Sequence, residues 1–345
     1  MKRLLTIQDI SCVGQCSTTV ALPIISACGV ECAILPPALL SNHTGGFTGW
    51  SFCDLTGELK KVEEQWVRQN IRFDAFYTGY VCESHIDPIL SIFESCSNPG
   101  AIRIVDPAMA DNGVLYKGFA ADFPSKMARL VKGADYVLPN LTEAALLVGE
   151  DPRRYLGEAE SRPLLDKEGK SFKSGGKDSS APMMEVSSDC GGKDSSAPMM
   201  DVSSISGGKD SSAPMMDVSS VCGGKDSSAP RKDIANLISK LHELGAKNVV
   251  LTGVSFSDSE LGSAISDGKS IVYDFNPRLK RMSHGTGDVF ASVFAGAVMR
   301  GKTAAEAAAL AADIVCVAIE ATDDDHWYGV SFEKAIPELV RALGM

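Results

Sequence analysis

No uncharged apolar run in this sequence is long enough to cross a membrane. The nearest candidate, VALPIISACGVECAILPPALL, is cut by Pro23, Gly29, Glu31, Pro36 and Pro37, whereas a spanning helix needs about 20 consecutive apolar residues. The opening residues do not read as a secretory leader either: in MKRLLTIQDI two basic residues precede an apolar run that stops at Gln8 and Asp9, too short for a signal core. Nor is there a surplus of positive charge. The chain sets 33 Lys and Arg against 44 Asp and Glu, a formal net charge of −11, which argues against nucleic acid or an anionic membrane as the main partner. The sequence reads as a cytoplasmic protein.

Cysteine, by contrast, is plentiful, with ten in the chain. In a cytoplasmic setting these are reduced thiols rather than a disulfide framework. Cys12/Cys16 and Cys28/Cys32 could be counted as a zinc arrangement, but STTVALPIISACG between them reads as an amphipathic helix that holds the pairs apart. Small core cysteines are the preferred reading.

The string SGGKDSS at residues 174–180 has the look of a pyrophosphatase phosphate loop, yet GGKDSSAP begins at Gly175, Gly191, Gly207 and Gly223, a constant step of 16 residues. A catalytic loop does not come four to a site. Each unit offers two Met and one Val for burial, too little to offset the entropy of ordering it. The preceding DKEGKSFK is no buried strand from which a phosphate loop could spring. Residues 175–230 are therefore expected to be a disordered, low-complexity insert, and residues 1–174 and 231–345 a single α/β domain.

Outside the repeats, short apolar runs alternate with helical patterns. RLLTIQ, CAILP, DAFYTGYV, IRIVDP, YVLPN, NVVLTGV and SIVYDF read as strands, and helices are expected near 16–28, 87–96, 122–132, 142–148, 232–244, 287–300 and 303–320. That order predicts three layers, a mostly parallel sheet with helices on both faces. Ligands of such folds gather at the carboxyl ends of the strands. Polar residues fall there in number: Asp9 and Ser11, Thr78 to Tyr80, Asp106 and Asp111, Asn140 and Glu143, Thr252 and Gly253. Any one alone would more often be a cap or a turn.

The stretch HGTGDVFASVFAGAVMRG runs Gly285, Thr286 and Gly287 directly into an apolar helix. Free N–H groups there make an anion hole, and Asp288 in the first turn is placed to accept the proton of an attacking hydroxyl. The plain alternative is a helix start with an acid set for the dipole. In ADYVLPNLTEAALLVG, Asn140 and Glu143 stand three residues apart after a strand, either as oxygen ligands of a magnesium–phosphate centre or as a capping pair.

With SNHTGGFTGW, DPAMADNG, NLTE and GTGD in that order, the chain resembles the ribokinase-like superfamily and, within it, the vitamin B6 (pyridoxal/pyridoxamine) kinases. The resemblance covers residues 1 to about 150 and 231 to about 330. It implies transfer of phosphate from ATP, with Mg2+, to the 5′-hydroxymethyl group of a B6 vitamer, by a homodimer. Asp288 would be the base, with the backbone of Gly285, Thr286 and Gly287 as anion hole. Asp106, Asn140 and Glu143 would organise the metal and its waters, and Asp111, Thr252 and Gly253 the ATP phosphates. Asp9, Ser11, His43, Thr44 and Tyr80 would surround the pyridine ring. His43 could equally be a loop residue, and Tyr80 a core aromatic. Many pyridoxal kinases have Ser where Asp9 stands; this D-I-S is closer to hydroxymethylpyrimidine kinases and hints at an amino-bearing substrate. The vitamer and any need for a monovalent cation stay open. So do a hydroxymethylpyrimidine or sugar substrate, an idle kinase body whose repeats recruit partners, and a phosphate-loop ATPase.

Overall fold

Both faces of the central strands are apolar, so the sheet is covered twice. In β1 (Arg3–Ile7), Leu5 and Ile7 enter one core while Leu4 enters the other; in β6 (Phe73–Thr78), past a register shift between Phe73 and Ala75, Phe76 is divided from Ala75 and Tyr77 in the same way. This alternation is the period of a strand, and burial on both sides is the mark of a parallel sheet. A computed structural model of the chain describes residues 1–156, 228–279 and 283–345, all of which fall within one compact unit.

The remaining strands are β2 (Ile10–Ser11), β3 (Glu31–Ile34), β4 (Ala38–Leu40), β5 (Phe52–Asp54), β7 (Ser97–Val105), β8 (Ala110–Asp111), β9 (Val114–Leu115), β10 (Tyr136–Val137), β11 (Asn248–Val254), β12 (Glu260–Ser266) and β13 (Ile271–Pro277). Eight of them form the main sheet in the order β13-β12-β11-β10-β7-β6-β1-β3. From β3 to β11 every neighbour is parallel; β12 runs antiparallel to both of its partners. One face is covered by α2 (Thr56–Arg68), α3 (Glu83–Ser95), α4 (Phe123–Val131), α5 (Leu141–Leu147) and α6 (Ser228–Glu243). The other carries α1 (Thr18–Ala27), α7 (Thr286–Met299), α8 (Ala304–Glu320) and α9 (Ile336–Ala342). The expected three layers are present. A methyl added to Gly296 of α7 would come within 2.4 Å of Cys28 Sγ, at the C-terminal cap of α1, so these two helices meet at a glycine.

Several elements depart from the sequence expectation. Helix α2 went unforeseen because TGELKKVEEQWVR buries only Leu59; a charged helix lacks the broad apolar stripe by which helices are read. Strand β12, ELGSAIS, has weak strand propensity and is fixed by pairing on both sides. The three-stranded sheet β2-β4-β5 is made of two- and three-residue strands, below the length at which alternation is legible. Helix α6 begins at Ser228, so the last three residues of the fourth repeat form its first turn. The rest of the repeat array, with the disorder expected of it, lies outside the described residues.

Candidate active site

The carboxyl ends of β1, β6, β7 and β11 point to one edge of the sheet, where the N-termini of α1, α5 and α7 also lie. Gly285 caps α7 with φ 82°, a left-handed conformation that favours glycine. A methyl there would stand 2.0 Å from the Gln15 carbonyl oxygen, whereas one on the exposed Gly287 would meet nothing within 4 Å. One glycine therefore permits a close crossing of backbones, and the other leaves open space above the helix start, where amide dipoles favour an anion.

Asp288 sits in the first turn of α7. Its carboxylate accepts hydrogen bonds from the Ser17 N–H and the Cys16 thiol, but the packing around it outweighs both and, with the Asp9 charge, pushes its pKa up to about 7. Asp9 is 3% exposed. Burial raises its pKa as well, against hydrogen bonds from Ser17 and from Ser11 Oγ, the latter 2.8 Å from Asp9 Oδ2. Ser17, the N-cap of α1, touches both acids and has φ 55° and ψ −133°, a strained backbone for an L-residue, costing about 1–3 kcal/mol. Sequence reading weighed Cys16 only as a zinc ligand or a core cysteine and Ser17 not at all: a thiol and a hydroxyl serve here because the backbone carries them to the two acids.

Asn140 and Glu143 form the reciprocal capping box of α5. Glu143 N–H donates to Asn140 Oδ1 at 2.9 Å, and Asn140 N–H donates to Glu143 Oε2 at 2.9 Å. The second carboxylate oxygen accepts from the N–H groups of Met109 and Ala110 at 3.1 and 3.4 Å, while Asn140 Nδ2 donates to the Ala110 carbonyl at 2.8 Å. The capping alternative is thus realised, and the pair also bolts the segment after β7 to α5. Burial still dominates at Glu143, lifting its pKa to about 8 against those backbone bonds. Asp106 is raised by burial first and then by the charges of Glu143 and Asp288.

Strand β11 has a bulge between Thr252 and Val254, with Gly253 at φ 79° and no atom within 4 Å of an added methyl. Thr252 N–H donates to the Pro139 carbonyl at 2.9 Å. Asp111 turns its carboxylate to Asn112, accepting from its N–H at 2.8 Å and from Nδ2 at 3.1 Å, within the hairpin of β8 and β9. His43 is 5% exposed and has both nitrogens engaged. Gly45 N–H donates to Nδ1 at 3.0 Å, which leaves Nε2 to donate to the Tyr328 carbonyl at 2.7 Å. His43 is a strut between two loops, with Phe47 edge-on at 5.0 Å. Thr44 is exposed; Tyr80 is half-buried beside Phe119, with ring centroids 5.3 Å apart. Among the described residues no group of three or more His, Cys, Asp or Glu lies close enough to hold a metal ion by itself.

Residues 216–329 match the family model for phosphomethylpyrimidine kinase. A Bacteroides thetaiotaomicron protein assigned as a phosphomethylpyrimidine kinase and crystallised with pyridoxal is 25% identical, over 98% of this chain and 95% of that one, with a TM-score of 0.71. Pyridoxal kinase from Lactobacillus plantarum is also 25% identical, over 99% and 98% of the two chains, with a TM-score of 0.70. Pyridoxal kinase from Staphylococcus aureus, solved with AMP-PCP and pyridoxal, shares the fold at 16% identity, covering 95% and 92%, with a TM-score of 0.62. No curated protein matches the chain by sequence. The chain is thus similar in fold to pyridoxal kinases and to an assigned phosphomethylpyrimidine kinase, and these likenesses, with the family model over residues 216–329, support a kinase, a phosphotransferase that acts on an alcohol group.

Proposed function

We propose that the protein transfers the γ-phosphoryl group of ATP to the 5′-hydroxymethyl group of a vitamin B6 vitamer. The observation that carries the reading is Asp288, a carboxylate with its pKa raised to about 7, in the first helical turn beside the open face of Gly287. A base of that proton affinity is matched to taking a hydroxyl proton near neutral pH. The amides of Gly285 to Gly287 would stabilise charge on the transferring group. Asp9, Ser11, Thr44 and Tyr80 would border the ring, His43 would contact it only through the ring, and Thr252 and Gly253 would line the nucleotide phosphates, with Asp111 at their rim. The relatives solved with pyridoxal and with AMP-PCP support both halves of this assignment.

Asp106, Glu143 and Asn140 would hold Mg2+ and its waters. The donors fit in that Asp106, whose pKa is raised first by burial, is raised further by the charges of Glu143 and Asp288, a surplus of negative charge that a cation relieves. An ion held there would be bound largely by water and phosphate. When bound, the ion supplies positive charge to the phosphate oxygens.

The same reading makes the protein a cytoplasmic homodimer with one kinase domain, the repeats standing outside the chemistry. No described helix is long and apolar enough to cross a membrane. A second substrate, an aminopyrimidine bearing a hydroxymethyl group, is favoured by the buried Asp9 carboxylate and by the matching family model. An ATP-coupled assay with pyridoxal, pyridoxamine, pyridoxine and hydroxymethylpyrimidine in parallel, with Asp288→Asn as control, separates the two. Turnover of one B6 vitamer that is lost in Asp288→Asn is expected. Turnover of the pyrimidine alone would replace the substrate, and undiminished turnover in the mutant would remove Asp288 from the mechanism.

A further inference from the structure

The acids of the site do not hold themselves in place. Asp288 takes hydrogen bonds from Cys16 and the Ser17 N–H, and Asp9 takes one from the Ser17 side chain, so the short segment before α1 ties both carboxylates. That segment is strained at Ser17 and crosses Gly285 so tightly that no side chain fits between them. A backbone in such a region persists only where its surroundings over-determine it.

Those surroundings converge on Gln15. Its Nε2 donates to both carboxylate oxygens of Glu333, at 2.9 and 2.8 Å, and its Oε1 lies 2.7 Å from His326 Nε2. Gly329 backs directly onto it, since a methyl there would stand 2.7 Å from Gln15 Cβ and 2.8 Å from Oε1. The same stretch supplies the Tyr328 carbonyl that receives His43. A segment some forty residues past the catalytic helix start thus grips both the loop before α1 and the loop on the substrate side.

We propose that residues 326–333 brace the phosphoryl-transfer site: acting through Gln15, they hold Cys16 and Ser17 against Asp288, which makes Gln15, Gly329 and Glu333 positioning residues. The inference rests on the reading of Asp288 as the base. Its proton affinity is also influenced from the neighbouring elements, by Asp9 after β1 and Cys16 before α1, and it is coupled in turn to Tyr77 of β6, Asp106 after β7 and Tyr116 after β9. Loss of the brace removes donors to the charged carboxylate, so the acid limb of the rate profile must move to higher pH.

The test compares full-length Gln15→Ala, Gly329→Ala and Glu333→Ala with Glu333→Gln and Asp288→Asn, measuring kcat, KM for ATP, the pH profile and melting temperature. Glu333 is exposed, so its replacement leaves a folded protein to assay. Expected are a fall in kcat of about tenfold at unchanged KM for ATP and an upward shift of the acid limb in the three disrupting variants. Glu333→Gln, which keeps an acceptor oxygen, restores most of the rate. Wild-type kcat and profile in Gln15→Ala and Glu333→Ala, with Asp288→Asn inactive, would overturn the brace and leave the base intact. A lowered melting temperature with unchanged kcat per folded enzyme would also overturn it, and an active Asp288→Asn would overturn both readings.

Discussion

Asp288→Asn removes the one carboxylate in the first turn of α7, and the structure says how the loss must depend on pH. With its pKa pushed from 3.8 up to about 7, only about 1% of Asp288 is ionised at pH 5, about 10% at pH 6 and most of it by pH 8. An aspartate in water would already be ionised at pH 5 and would give a flat profile above it. Wild-type kcat/KM should therefore climb about a hundredfold from pH 5 to its plateau, reporting the free enzyme's base. Substrate and nucleotide titrate in the same range. Both variants share those groups, so dividing the wild-type profile by the residual Asp288→Asn profile isolates the aspartate. The ratio should reach about 10²–10⁴ on the plateau, the usual worth of a general base, and fall tenfold per pH unit below 7. A ratio flat from pH 5 to 9, or an inflection near 4, would refute the argument that packing and the Asp9 charge set this proton affinity.

Gly285 and Gly287, the proposed anion hole, should separate stability from chemistry. Gly285→Ala, with φ 82° and a 2.0 Å collision with the Gln15 carbonyl, is expected to cost at least about 2 kcal/mol in urea denaturation. Gly287→Ala meets open space and should melt like the parent while turnover drops at least about tenfold, because its methyl enters the phosphate's place. Without ligand, the protein should lose stability as pH rises from about 4 to 8: Asp288 and Glu143 have raised folded pKa values, so the native state holds protons that the unfolded chain has released. Denaturation at pH 5.5 and 8.5 checks the sign, and Mg2+ with nucleotide should narrow the difference. Deleting residues 175–226, which leaves α6 its first turn from Ser228, should preserve both turnover and melting temperature; loss of either would give the repeats a part in the body of the enzyme.

Much of the fold was legible because burial on both sheet faces writes uninterrupted apolar strands such as RLLTI and NVVLTGV. What escaped was structure decided by partners rather than by local pattern, namely the polar α2, the Ser- and Gly-containing β12 and the very short strands around Asp54. The site divides along the same line. Asp288, Glu143 and Asp106 announce themselves as acids after strands or at helix starts. Cys16 and Ser17 are placed by a strained backbone, and Gln15 by residues more than three hundred positions away, so no window of sequence contains the reason for them. Asn140 and Glu143 show a further limit: the same N-x-x-E spacing specifies a capping box and an oxygen-rich corner, and here the first is built into the wall of the second.

The glycine contact between α1 and α7 gives these two helices the character of callipers. Their tips are Ser17 and Asp288, and the pin is Gly296 against Cys28, eight residues and so about 12 Å along the helix from the acid. A bulkier residue at the pin would not enter the site at all, yet it would spread the arms and loosen the hold of Ser17 on the aspartate. Precision at the tips would therefore depend also on this buried contact, and a substitution there would be felt as a change in reaction rate before any ligand contact was altered.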